Sequence, residues 1–520
     1  MNKLFYKGNI LVALAIIFLT GCDKKLDIDP RQSLDASQAF NTVASTEAAI
    51  NSVYARLKAS SLYGRDMLVI SDAMSDLVFS NARGNRFVSE NANLPAAGNT
   101  SNHMIYWSTA YLAINELNLI LDNMKNVPGV TATILARWEG ELKFLRALYY
   151  FDLIKAYAYI PTFIVPSQDR GGVVLTTTGF NNSATAISYF PSRASTVAVY
   201  NQMISDINRS ATLLSNANKG AYYGSKLAAL ALGSRISLYE GNYQRADSFA
   251  TAAISAGGIG SLTTTLNHVS AWRAVTHNES IFEVRFATAQ EVIGAIAVTL
   301  HGAHNNFGSV ANLGQTSSTA NGGFGPLVPN VRLLTDLGIT TVPAPSSTNL
   351  GFGTTTIPVI TRSGDVRNLL FELGTLASGG RWIECTKFIG KSGIPGLDNI
   401  PILRWAELYL NRAEARAKMG GAANEATAWA DLNNIRTNRI VGFVPGVALT
   451  GQPLIDEILK QRYLEFAFEG QRFWDMKRNG LPINKILPAV NLPATDFRYN
   501  ARIPLGEVDG NANLVQNFGY

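Results

Sequence analysis

The chain has 520 residues, a formal charge of +6, 47% hydrophobic composition and only two cysteines, Cys22 and Cys385. That length accommodates one large body or several domains. No basic stripe runs along it, which excludes a polyanion partner such as a nucleic acid.

Lys3 and Lys7 precede an apolar run, Ile10 to Leu19, with no acidic residue between them. The run is too short to cross a bilayer, which takes roughly 20 residues. A basic start, a short apolar middle and small residues at the exit predict a secretory leader over residues 1–21. Leu19-Thr20-Gly21-Cys22 resembles a bacterial lipobox, so Cys22 is the expected acylated N-terminus of the mature chain, residues 22–520. Acyl chains contribute about 0.8 kcal/mol per buried methylene, enough for stable anchoring when several are attached. With Cys22 acylated, Cys385 has no disulfide partner and a large core must carry stability.

Apolar residues at three- and four-residue spacing then predict helices over Glu47–Ala59, Trp107–Asn126, Ala136–Tyr159, Ser195–Ser215, Ser225–Glu240, Tyr243–Ala256, Arg404–Met419, Asn424–Thr437 and Leu454–Glu469. Between them lie Gly/Ser/Thr/Asn-rich stretches, above all Ser80–Ser101, Gly171–Ser192 and Gly302–Thr361. Short β-like runs occur at Ser280–Phe286 and Arg381–Phe388. Aligning Gly241 with Gly421 places Ala246 on Ala426, Phe249 on Trp429 and Ala250 on Ala430. Small residues flanking an aromatic suit closely packed tetratricopeptide-type hairpins. The expected fold is mostly α: a helix-hairpin scaffold with loop-rich insertions and minor β content.

The chain offers little for catalysis. It lacks a His-Glu-x-x-His zinc helix and a Gly-x-Ser-x-Gly elbow. Gly390-Lys391-Ser392 lacks the leading glycine of a phosphate loop, since Cys385 stands there. Cys385 itself lies in an apolar run and reads as a packed thiol. His301 and His304 have no carboxylate or cysteine cluster beside them. No cofactor is implied, and the chain reads as a binding protein, not an enzyme. A two-carboxylate hydrolase stays open, as does a purely structural scaffold. The densest charged segment, Ile458 to Arg478, reads as a helix and a turn at Gly470 locked by ion pairs and aromatic packing.

That segment also carries a family resemblance. Phe468-Glu469-Gly470-x-Arg472, followed by Asp475 and Arg478, resembles the C-terminal signature of the SusD-like (RagB-like) outer-membrane lipoproteins of Bacteroidetes. Glu141 to Pro161, Ile402 to Gly420, the closing Ile503 to Tyr520 and Leu26-Asp27-Ile28-Asp29-Pro30 after Cys22 are similar to further family segments, in the family's order. Gln461 departs from the glutamate usual before the arginine of the final helix.

The resemblance implies four tetratricopeptide-like helix pairs, an N-terminal SusD-like part over about 22–240 and a C-terminal SusD/RagB part over about 241–520. It implies a lipid-anchored (palmitate-bearing) outer-membrane protein facing the cell exterior. Such a protein binds a nutrient, an oligosaccharide or else a peptide, and delivers it to a SusC-like TonB-dependent transporter barrel. It also implies that the ligand face draws on an N-terminal loop and on loops of the later insertion. No binding residue carries over by motif. Sugars need aromatic faces beside amides and charged groups, which points to Phe79, Asn81, Arg83, Arg86 and Phe87 in one loop and to His304, Asn306, Phe307 and Phe324 in the other.

Overall fold

The computed structural model describes residues 39–94, 104–292, 300–305, 307, 313, 323–376, 380–391 and 393–520. The leader, Cys22 and Asn306 therefore lie outside the described residues. Helices α1 (Val43–Arg56), α2 (Asp66–Met74), α3 (Trp107–Asn123), α4 (Ala132–Tyr157), α5 (Thr196–Leu213), α6 (Lys226–Glu240) and α7 (Tyr243–Ala256) come first. After a long insertion follow α8 (Trp405–Met419), α9 (Ala422–Thr437), α10 (Gly451–Glu465), α11 (Arg472–Arg478) and α12 (Leu505–Gly510). Each helix expected from periodicity is present, with its ends shifted by a few residues. Side-chain caps set several starts: Thr131, Ser195, Ser225 and Asn242 accept backbone N–H bonds from Ile134, Ala198, Ala228 and Arg245. Helix α6 stops at Gly241, whose φ of +84° suits glycine.

The helices pack in series, α3 on α4, α4 on α5, α5 on α6, α6 on α7, α7 on α8, and α8 on both α9 and α10. The stack thus continues in space across the insertion between α7 and α8. In α4, every residue from Phe144 to Tyr157 is buried, as a helix surrounded by neighbours requires. Its Arg146 is satisfied internally, donating to both Asp206 oxygens at 2.8 Å and to Asn118 at 2.9 Å.

Strands are short: β1 (Val78–Ser80), β2 (Ser280–Val284), β3 (Leu327–Pro329), β4 (Ile339–Val342), β5 (Val359–Arg362), β6 (Phe371–Leu373), β7 (Ile383–Cys385), β8 (Ile400–Arg404), β9 (Ile483–Lys485) and β10 (Val490–Leu492). They form antiparallel pairs: β1–β3, β2–β8, β4–β5, β6–β7 and β9–β10. The β2–β8 pair sets Ser280 opposite Arg404 and Val284 opposite Ile400, so it clasps the insertion at its root.

The two hairpins, α6/α7 and α8/α9, are real, but their residue alignment is not the one the glycines suggest. Ala246 and Ala250 are fully buried, whereas Ala426 and Ala430 are exposed. The buried apolar residues of α9 are Ala428, Leu432 and Ile435, which repeat the spacing of Ala246, Ala250 and Ala253 two residues further on. Two residues turn a helix through about 200° at 3.6 residues per turn, which puts the aligned alanines on the outer face. Asp431 fixes that rotation, accepting from Arg412 at 2.6 Å and from Arg416 at 3.1 Å on α8.

The charged C-terminal segment is interior. Arg404 donates to Glu279 at 2.8 Å, Glu465 at 3.0 Å and Glu469 at 2.8 Å, and Arg439 donates to Glu279 at 2.6 Å and Glu465 at 2.9 Å. Burial alone raises the Glu465 carboxyl, but Arg439 and Arg404 outweigh it and hold it well below the usual range. Asp475 bridges Arg462 and Arg478, while Gln461 accepts from Arg367 at 2.9 Å. The signature turn also meets the start of the chain. A Cβ at Gly470 would stand 2.5 Å from the Leu68 backbone, and its N–H donates to Asp72 at 3.2 Å. Arg472 grips both oxygens of Asp76 at 2.7 Å, and Lys485 donates to the carbonyls of Ala73 and Asn91.

Candidate functional site

Strand β1 runs beside β3 with Val78 opposite Pro329, Phe79 opposite Val328 and Ser80 opposite Leu327. This pairing brings the described parts of the two loops proposed from sequence to one side of the protein. The first loop then turns tightly. Ala82, Asn85, Phe87 and Asn93 all have φ between 51° and 60°, a region that non-glycine side chains rarely adopt. Gly84, also at positive φ, has the Phe324 ring 3.1 Å from where a Cβ would stand, so the glycine admits the ring.

Arg86 lies over the Phe324 ring, 4.6 Å from its centroid. Phe324 is 42% exposed and Asn85 is exposed beside it, while Phe87 is half-buried under Arg65. Asn81, half-buried, donates to the Gly325 carbonyl at 3.1 Å and ties the loops together.

The remaining candidates face inward. Arg83 is buried and donates to Glu384 at 2.8 Å, to the Phe324 carbonyl at 3.2 Å and to the Gly380 carbonyl at 3.0 Å, with its guanidinium 4.2 Å from the Trp382 ring centroid. His304 is fully buried, 4.9 Å from the Phe468 ring centroid and edge-on to it. Phe307 is fully buried, its N–H held by Asn305, whose amide donates to the Cys385 and Phe388 carbonyls. Phe79 packs against Val328, Leu350 and Trp382 and lines a cleft of about 400 Å3 with Arg332, Asn484 and Leu487. The expectation that these side chains stand clear of the scaffold therefore fails for Arg83, His304 and Phe307. Phe324 instead reaches solvent.

Sequence reasoning missed Trp382 and Glu384. They lie two apart in the strand-like Arg381–Phe388 run, on one face of an extended segment, and this spacing was the available signal. Cys385 is buried in β7, and burial pushes its thiol up to about 12, so it stays protonated and inert. Among the described residues no cluster of three or more His, Cys, Asp or Glu could hold a metal, and no helix is long and apolar enough to cross a membrane. The face presents the Phe324 ring, the Asn85 amide and the Arg86 guanidinium.

Two family models match the chain: "Starch-binding associating with outer membrane" over residues 24–238 and "SusD family" over residues 381–500. The chain belongs to the SusD-like family. SusD-like protein P38 of Formosa agariphila is 23% identical across 98% of both chains. The starch-binding protein SusD of Bacteroides thetaiotaomicron is 35% identical over 134 residues, which cover 24% of this chain and 22% of that one. A crystal structure of a SusD superfamily protein from Bacteroides thetaiotaomicron superposes with a TM-score of 0.74 at 25% identity, covering 92% of this chain and 99% of the other. That likeness extends to the mostly α architecture described above.

Proposed function

We propose that this SusD-like protein is an outer-membrane lipoprotein that binds an oligosaccharide without turning it over and hands it to a SusC-like TonB-dependent transporter. The reading is supported by the family's starch-binding, outer-membrane description and by the starch-binding relative. The observation that carries the ligand site is the meeting of the two loops at Arg86 and Phe324. A sugar's apolar face can stack on the Phe324 ring while the exposed Asn85 meets its hydroxyls. A peptide is the second reading, favoured by the scarcity of exposed Trp and Tyr among the described residues of this face. The domain division near residue 240 and the anchoring at Cys22 belong to the same proposal.

Calorimetric titration with malto-, laminari- and cello-oligosaccharides and with short peptides tests the ligand class. Affinity for a glycan without product release supports the reading, whereas hydrolysis supports a hydrolase. In cells, Cys22→Ala should abolish acylation and release the protein from the outer membrane. Normal retention would remove the lipoprotein assignment.

A further inference from the structure

The Gly171–Ser192 stretch borders a different concavity. An open groove of about 660 Å3 lies between α3, this stretch and α12, within the size range of ligand sites. Its walls are aromatic: Trp107 and Tyr111 from α3, then Phe180, Tyr189 and Phe190. The Phe180 and Tyr189 rings lie 4.7 Å apart and 36° from coplanar, so Phe180 packs on one face of Tyr189 and backs it. Tyr189 is 40% and Phe190 53% exposed, so two large rings face water.

The stretch is largely irregular here, yet its backbone is fixed by side chains from outside it. Asn115 accepts from the Phe180 N–H at 2.7 Å and donates to the Phe180 carbonyl at 2.9 Å. Asn511 donates to the Pro191 carbonyl at 2.8 Å and Asn513 to the Phe190 carbonyl at 2.8 Å. At Gly179, whose N–H donates to Asp122 at 3.0 Å, a Cβ would stand 2.4 Å from the Leu119 backbone. Rings held this way lose little freedom on binding, which is how a preorganised site gains affinity. The same groove presents hydrogen-bonding groups at its rim. Among the described residues none hydrogen-bonds the side chain of Ser108, the Tyr189 hydroxyl or the Glu507 carboxylate, and Ser108 and Glu507 are exposed. Glu507 is the one formally charged residue of the lining.

We infer that this groove is a second glycan-binding cleft, taking a neutral oligosaccharide whose ring faces stack on Tyr189, backed by Phe180, and on Phe190 while adjacent hydroxyls donate to Glu507. The inference rests on the proposal that the protein binds glycans. A single carboxylate disfavours an anionic sugar, and stacked rings with a bidentate acceptor match the alternation of C–H faces and hydroxyl edges on a neutral pyranose.

The test uses the full-length protein with maltoheptaose and laminarihexaose. Calorimetry of the wild type should give two equivalents of the glucan that binds. Tyr189→Ala with Phe190→Ala should remove one equivalent without changing the melting temperature, and Glu507→Gln should weaken that equivalent by about tenfold, the size of one good polar contact. Saturating glucan should also slow hydrogen exchange at residues 187–191 and 505–514. Phe324→Ala should affect the other equivalent. A single equivalent, abolished by Phe324→Ala and untouched by Tyr189→Ala with Phe190→Ala, overturns the second cleft and leaves the proposed function standing. Binding of no glucan by the wild type overturns both. Loss of association with an envelope protein in the groove variant, with two glucan equivalents retained, makes the groove a protein-docking surface and also overturns the inference.

Discussion

Arg404, Arg439, Glu279, Glu465 and Glu469 meet one another inside the protein, whereas Phe324 and Asn85, at the junction of two loops, reach solvent. By sequence the first region is the conspicuous one, with charges and aromatics crowded together, and the second is a pair of unremarkable polar stretches. The difference teaches that charge density along a chain marks where ions neutralise one another as readily as where they meet a ligand. Interior ions need partners because removing one leaves its counterpart charged and dry.

Glu465→Ala gives the largest expected effect. It leaves Arg439 with Glu279 alone and Arg404 with Glu279 and Glu469, one buried counter-charge short, so unfolding in urea should show a loss of about 3–5 kcal/mol, the usual consequence of breaking a buried pair. The same network sets an acid limit. Glu465, Glu414 and Asp475 are raised by burial, yet neighbouring arginines outweigh that and hold all three below ordinary carboxylate values. The unfolded chain therefore takes up protons first, near pH 4, and stability contributed above that pH is lost as pH falls toward the folded values. Asp72, pushed up by burial, works in the opposite sense and blunts the decline. A melting temperature that stays level from pH 6 to pH 3 would contradict this sign.

Arg83→Ala sharpens the comparison, because Arg83 belongs to the candidate loop by position and to the interior by contact. Leaving Glu384 buried without it should also cost about 3–5 kcal/mol. Should Arg83→Ala melt like the wild type, the loop would not be braced as described. Next in size, Ala250→Leu should destabilise by about 1–3 kcal/mol through overpacking, while Ala430→Leu on the exposed face should stay within about 0.5 kcal/mol. Equal losses for the two would restore the alignment through Gly241 and Gly421. The smallest expected change is that of Phe324→Ala, within about 0.5 kcal/mol in stability, with its effect read in glycan affinity instead.

Helices were legible because each buries a stripe that repeats every three or four residues, and that stripe is local. What sets the rotation of α9 is not local, since Asp431 answers to Arg412 and Arg416 on α8. The loop face was half legible. Its two loops were chosen from composition together with what the family resemblance implies, and Phe324 reaches solvent. Arg83 could not be judged without Glu384, which lies 301 residues away. Nor could His304 be placed without Phe468, whose backbone turns to a φ of +63° in the signature itself.

The seat of Gly470 against Leu68 also dictates a timetable. Gly470 to Asp72, Arg472 to Asp76 and Lys485 to Asn91 and Ala73 join residues separated by 394 to 412 positions. Helix α2 thus acquires its final neighbours only when the last tenth of the chain is available. Contacts of such separation close slowly, because the entropy of a long loop must be met before they form. A chain made from its N-terminus outward would hold its first segments in waiting until its end arrives.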